Sequence, residues 1–306
     1  MTNERRSYFP RDGILAEARE ALNHHDPAEI DWVTFIGSGE PTLHIDLGWL
    51  IRQVKSLTDL PVAVCTNGAL LYLPEIRREL AVADAVMPTV AAGSAELYWH
   101  IHRPYPGLTF ERLVEGLLAF RQSYRGNLWP EVMLLRDIND GEKELRDIAM
   151  LLERIQPDQV HIALPSRPPA ETWVHPPNDE GLMRALAILG RSSKVLHPAE
   201  GAFDLGEHEN VVDAVVEIIT RHPMSQNDLE KALARWSPGE VAQALAELEG
   251  SGRAQIVERL GIRFWSASPA AYPGEEKSQA VSPDRLRPRL RYHQPIPKTN
   301  SGSEID

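Results

Sequence analysis

Apolar positions along the chain change their period repeatedly, and each change marks an element. The start is polar and extended through Pro10, after which Ile14, Leu15, Ala18 and Leu22 recur at helical spacing and predict a helix over Arg11 to His24. Trp32 to Ile36 is instead an unbroken β-branched and aromatic run. That pattern predicts a buried strand, broken at once into a tight turn by Gly37-Ser38-Gly39-Glu40-Pro41. Leu47, Leu50, Ile51, Val54 and Leu57 then share one face of a second helix. The alternation continues with strands Val62 to Thr66, Ala85 to Thr89, Leu128 to Leu134 and Gln159 to Leu164. Between them lie helices Pro74 to Ala81, Glu96 to Ile101, Phe110 to Tyr124 and Glu142 to Ile155. Strand and helix units repeated in this way imply parallel strands with right-handed crossovers, so the fold class is α/β.

A further helix over Asn178 to Gly190 is followed by a connector with a short candidate strand at Lys194 to Leu196, and the texture then changes. Val211 to Arg221, Ser225 to Ala234 and Ser237 to Gly250 read as three helices, and Ala254 to Arg259 with Ile262 to Trp265 as a hairpin across Leu260-Gly261. Three helices and a hairpin in this order resemble a winged-helix module. Beyond Tyr272, proline, serine, glycine and charge dominate, which predicts a disordered tail. The expected domains are 1–206, 207–268 and 269–306.

Composition narrows the function classes. A formal net charge of -12 argues against a general nucleic-acid surface, because phosphate binding relies on Lys and Arg. The third helix of the small module carries Glu240, Glu247 and Glu249 and no basic residue, so specific DNA binding is not expected there. A protein contact, or a clamp on the larger α/β domain, is the better expectation, and a winged-helix transcription factor with an α/β sensor domain is disfavoured. No apolar run approaches the roughly 20 residues that span a bilayer. The start resembles no signal peptide, so no membrane association and a cytoplasmic location are expected. A single cysteine, Cys65, excludes an internal disulfide and any multi-thiolate site built from these residues alone.

Candidate chemistry gathers at the carboxyl ends of the strands: Glu40, Asn67, Thr89 and Arg167. In barrels and open α/β sheets that is the ligand face. Glu40, in a glycine-rich turn, is expected to face a small molecule with a cationic group. Glu131 and His161 fall within strands, as interior polar residues or ligand contacts. Arg103 and Arg167, each beside proline, suit either an anionic ligand or a clamp between loops.

As a set, these segments resemble the radical S-adenosylmethionine proteins, in particular the wyosine-synthase-like iron–sulfur oxidoreductases. The likeness rests on Gly37-Ser38-Gly39-Glu40-Pro41-Thr42-Leu43-His44, Cys65-Thr66-Asn67-Gly68, His102-Arg103-Pro104, Glu131-Val132-Met133-Leu134 with Asn139-Asp140, and Arg167-Pro168-Pro169-Ala170-Glu171. It implies a partial (βα)6 TIM-like barrel followed by the winged-helix-like module, with S-adenosylmethionine and a [4Fe-4S] cluster as cofactors. It further implies that Ser38, Gly39, Glu40 and Pro41 bind the methionine amino group, that Asn67, Glu131 and His161 complete the cofactor site, and that Arg103 and Arg167 serve substrate or loop. Two features depart from the family. The Cys-x-x-x-Cys-x-x-Cys motif and the strand before it are absent from the 306 residues, and Ala91 stands where relatives usually carry Asp. The resemblance therefore implies a barrel lacking its first strand, a truncated or misplaced start at Met1, and a chain inactive as it stands. The alternative is a non-catalytic, degenerate barrel that binds a nucleotide-like ligand or a protein partner.

Overall fold

The computed structural model describes residues 2–24, 30–37, 39–165, 171, 173–190, 192–196, 210–221, 224–233, 235–259 and 262–267. Ser38, Arg167, most of the connector and the expected tail lie outside the described residues.

Helix α1 (Arg11–His24) precedes strand β1 (Val33–Phe35), and a 3₁₀ turn (Pro41–Leu43) leads into α2 (Leu47–Leu57). The alternation runs on through β2 (Val62–Thr66), α3 (Pro74–Leu80), β3 (Ala85–Pro88), α4 (Ala95–His102) and α5 (Phe110–Ser123). It continues with β4 (Asn127–Leu128), β5 (Glu131–Met133), α6 (Glu142–Ile155), β6 (Val160–Ala163), α7 (Asp179–Leu189) and β7 (Ser193–Val195). All pairings among these strands are parallel, in the orders β1-β2-β3-β4 and β5-β6-β7.

One bridge, Thr89↔Glu131, joins the two sheets. Ala85↔Asn127, Val86↔Leu128 and Thr89↔Glu131 share one sequence offset, so β4 and β5 are a single strand in unbroken register. The expected continuous strand over Leu128 to Leu134 is interrupted at Trp129-Pro130, because Pro130 has no N–H to give to the ladder. Its carbonyl still accepts from the amide of His161 at 2.8 Å, and the amide of Trp129 donates to Val86 at 3.0 Å.

The two faces of this sheet differ. Val62, Val64, Val86, Leu128, Val132, Val160 and Ile162 point one way and are buried in the main core with Ile51, Leu80, Leu117, Ile148 and Leu152 of the helices. On the other face Ala63, Ala85 and His161 are buried, whereas Thr34, Cys65, Met87, Glu131, Met133 and Lys194 are only partly covered or exposed. On this second face the rings of Trp32 and Trp129 meet edge to face with centroids 5.1 Å apart. They flank β1 and β4, three strand spacings or about 14 Å apart in a flat sheet. The face must therefore be concave, with small Ala63 and Ala85 lying between.

Strand β1 departs from the expected buried strand. Among the described residues it pairs only with β2, Thr34 is exposed, and Ile36 is 64% exposed. It is a half-buried edge, and its run of apolar residues does not reveal which side lacks a neighbour. No helix among the described residues is long and apolar enough to cross a membrane.

The last segment has its own core. Helices α8 (Val211–Arg221), α9 (Gln226–Ala232) and α10 (Pro238–Ser251) enclose Val215, Ile219, Leu229, Leu245 and Leu248 with Trp265. Strands β8 (Met224–Ser225), β9 (Ala254–Arg259) and β10 (Ile262–Ala267) form an antiparallel sheet in the order β8-β10-β9. A capping box between Ser237 and Glu240 starts α10, and Gly252 at φ 70° ends it. Two-residue β8 is too short for sequence periodicity to reveal.

Candidate functional site

The turn after β1 is fixed from both sides. Glu40 precedes the 3₁₀ turn, and its carboxylate accepts four hydrogen bonds. Oε1 takes the Thr42 amide at 3.1 Å, the Thr42 hydroxyl at 2.6 Å and the Thr66 hydroxyl at 2.6 Å, and Oε2 takes the Asn67 amide at 2.7 Å. The side chain expected to meet a ligand thus also ties the turn to the end of β2. Among the described residues Oε2 has a single donor and keeps room for another.

From below, Arg5 donates to the Thr42 carbonyl at 2.9 Å and pairs with Glu79 at 2.6 Å. The Asp46 amide donates to Nδ1 of His44 at 3.1 Å, which leaves Nε2 carrying the proton toward the Phe9 carbonyl at 3.0 Å. Sequence reasoning missed Arg5, Thr42 and Thr66. The hydroxyl two residues after Glu40 was the only local signal.

A cavity of about 410 Å³ opens beside this turn, lined by Glu40, Asn67, Leu70, Tyr98, His102 and Tyr105 among others. Larger cavities of about 680 and 610 Å³ lie along α6 and α7 and do not include the turn. The first lies at the amino ends of β6 and β7, away from the carboxyl ends where ligand sites in α/β sheets form, and the second, over the loop after β5, is separate from the Glu40 turn. Tyr98 is 1% exposed and packs on His102 with ring centroids 4.9 Å apart. Nε2 of His102 is buried without a partner among the described residues, and burial pushes its pKa down to about 4.

Arg103, at φ 45° in the left-handed region, closes α4. Its guanidinium pairs with Glu171 at 2.6 Å and lies over the ring of Trp173, which also stacks on His100. It is engaged as a clamp between loops. The pairing holds the Glu171 carboxyl below its usual range.

Ala91 is fully buried, and its carbonyl accepts from Asn139 at 2.9 Å. A Cβ on Gly93 would come within 2.2 Å of the Asp147 backbone, so the loop presses directly on α6. Ala91 and Gly93 therefore serve close packing.

On the concave face, Glu131 and His161 are direct register partners. Burial raises the Glu131 carboxyl above its ordinary range. It also lowers His161, with the Lys194 ammonium adding to the effect. Cys65 lies on the same face, its thiol 3.9 Å from the sulfur of Met87. Burial, then Glu131 and Glu40, push that thiol up to about 11. Gly39, Glu40, Pro41 and Asn67 thus form one rim, Glu131 and His161 sit deeper across the sheet, and Arg103 stands outside. No group of three or more His, Cys, Asp or Glu suited to a metal occurs among the described residues.

Comparison with known proteins gives this arrangement its setting. A family profile described as the Radical SAM superfamily matches residues 3–149. A GTPase Obg of Brachyspira hyodysenteriae is 41% identical over 179 residues, 58% of this chain, which spans only 26% of that protein. A radical SAM methyltransferase structure from Sphaerobacter thermophilus aligns with a TM-score of 0.49 at 20% identity, covering 62% of this chain and 57% of that one. A UPF0026 protein of Methanocaldococcus jannaschii is 30% identical over 237 residues, 76% of this chain and 73% of that protein. With most of that relative matched, and the superfamily's profile lying over the strands that carry Glu40, Asn67 and Glu131, the chain belongs to the radical SAM superfamily.

Proposed function

We propose that the chain binds S-adenosylmethionine at the rim formed by the turn after β1 and the end of β2, as the cofactor-binding part of a radical SAM enzyme. The observation that carries this reading is the Glu40 carboxylate, clamped by four protein donors at the edge of a cavity of suitable size. Oε2 can accept one bond from the methionine ammonium, and carbonyls of Gly39 to Pro41 can share the remaining N–H groups. Asn67 and Glu131 suit the ribose hydroxyls, Glu131 as a proton acceptor or, in its neutral form, a donor. The sheet of six parallel strands, curled with its helices outside, is read as the partial barrel. The three helices and antiparallel sheet of residues 210–267 are read as a winged-helix-like module for a protein partner.

In this family an iron–sulfur cluster, when bound, supplies the electron for reductive cleavage of the cofactor. The residues here do not fit a cluster. Cys65 is the only cysteine in the sequence, its thiol is held protonated, and the described residues bring no other ligand set together. Cluster thiolates are therefore proposed to come from residues other than these 306.

Calorimetric titration of the chain with S-adenosylmethionine tests the site. Glu40→Gln should weaken binding by about 1.5–3 kcal/mol through loss of a charge-assisted contact. Thr42→Val removes one clamp hydroxyl and leaves the charge, and should weaken binding far less. Equal losses in the two variants would make Glu40 only a support for the turn, and unchanged affinity in Glu40→Gln would overturn the assignment.

A further inference from the structure

On the concave face, on the β4–β7 side of the sheet and away from the Glu40 rim, two obligate hydrogen-bond donors and one imidazole nitrogen able to donate are grouped without partners among the described residues. His161 is 7% exposed and its Nδ1 is buried with no partner. The ring of Trp129 packs on it at 5.4 Å between centroids, and the Trp129 indole N–H is likewise buried and unpartnered. Lys194 is the register neighbour of His161 on β7, exposed, and in no ion pair among the described residues. Indole N–H and ammonium can only donate, and a neutral imidazole donates through one nitrogen. A buried donor left without an acceptor is costly, so the ligand that suits this corner brings acceptor oxygens and negative charge.

We propose that Trp129, His161 and Lys194 form an oxyanion subsite that takes a carboxylate or phosphate group. Its residues lie two to four strands from Asn67, roughly 10–19 Å along the sheet, which suits a second group bound alongside the cofactor or the far end of one long ligand. The half-buried side chains of Trp129 and Met133 leave the face around it open. Glu131, the register partner of His161, opposes an anion when charged, and its burial favours the neutral carboxyl that would not. The assignment stands on these donors and does not require the cofactor reading.

The test is a titration of the full ¹⁵N-labelled chain with inorganic phosphate, and separately with acetate, at constant ionic strength. The Trp129 indole N–H signal is assigned from its loss in Trp129→Phe. It should shift saturably, and Lys194→Met should raise the apparent Kd about ten-fold or more. Lys194 has no hydrogen-bond or ion-pair partner among the described residues, so its variant should melt with the parent and act as the folding control. Glu131→Gln should bind at least as tightly as the parent. Absence of a saturable shift, or a shift indifferent to Lys194→Met, would overturn the proposal. Glu40→Gln should leave phosphate binding unchanged, so failure here and failure at the cofactor rim are separable. Displacement of phosphate by S-adenosylmethionine would assign the subsite to the cofactor's own carboxylate, and simultaneous binding would assign it to a substrate.

Discussion

Residue by residue, the site is shaped by what each polar group finds when it is taken from water. Glu40 finds four donors, Glu131 finds burial, and His102 finds only the ring of Tyr98. His102 therefore makes a measurable claim. Its pKa is about 4 in the folded chain and near the ordinary 6.5 when unfolded. A depressed folded pKa means that the unfolded chain binds the extra proton first, so stability is full above pH 6.5 and falls as pH drops toward 4. The loss across that window is about 3 kcal/mol at its limit. His102→Phe keeps a ring against Tyr98 and cannot titrate. Urea unfolding at pH 7, 5.5 and 4.5 should show a shallower decline in the variant. Parallel declines in the two proteins would remove His102 as a cause of acid sensitivity. Acidic groups held low by partners, such as Asp84 beside Lys55 and Glu171 beside Arg103, add to the decline in both proteins and cancel in the comparison.

Among the elements, the same substitution should act with opposite sign according to what lies against the helix. Gly116 in α5 faces the Leu71–Tyr72 backbone so closely that a Cβ would come within 2.4 Å of the Tyr72 amide nitrogen. Gly250 in α10 has nothing within 4 Å. Alanine is intrinsically favoured over glycine in a helix by up to about 1 kcal/mol. Gly250→Ala should gain part of that, whereas Gly116→Ala should lose about 1–3 kcal/mol because backbone cannot step aside. Denaturant midpoints of the two variants check the pair, and a stabilised Gly116→Ala would contradict the close packing of α5. Helix and strand positions were largely legible in the sequence because period is a local property, and α1, α6 and α8 fall where the apolar spacing puts them. What was not legible depends on partners distant in sequence. The break at Trp129-Pro130 and the meeting of Trp32 with Trp129 are set by register and curvature. The site divides in the same way. The Gly-Glu-Pro turn announced a carboxylate at a strand end, but the donors from Thr66 and Asn67 and the grouping of Trp129, His161 and Lys194 arise only when the strands are side by side.

For the molecule as a whole, charge decides which partners are open to it. The net charge of -12 leaves long-range attraction for a polyanion unfavourable, and the small antiparallel module does not reverse it locally. On α10, the helix that would have to enter a major groove, Glu240, Glu247 and Glu249 are exposed. Two arginines that might have offset them are engaged, Arg263 with Glu249 at 3.1 Å and Arg253 with Asp213 at 3.0 Å. Placing this helix against duplex phosphates would set like charges together and break those pairs, with few counterions released in return. The full chain should therefore shift no duplex DNA probe at physiological salt, whatever the sequence of the probe. An electrophoretic series over random and varied duplexes, repeated at several salt concentrations, is the measurement. A sequence-dependent complex whose affinity falls steeply with salt would show that phosphate contacts outweigh the acidic helix, and would return the module to nucleic-acid recognition.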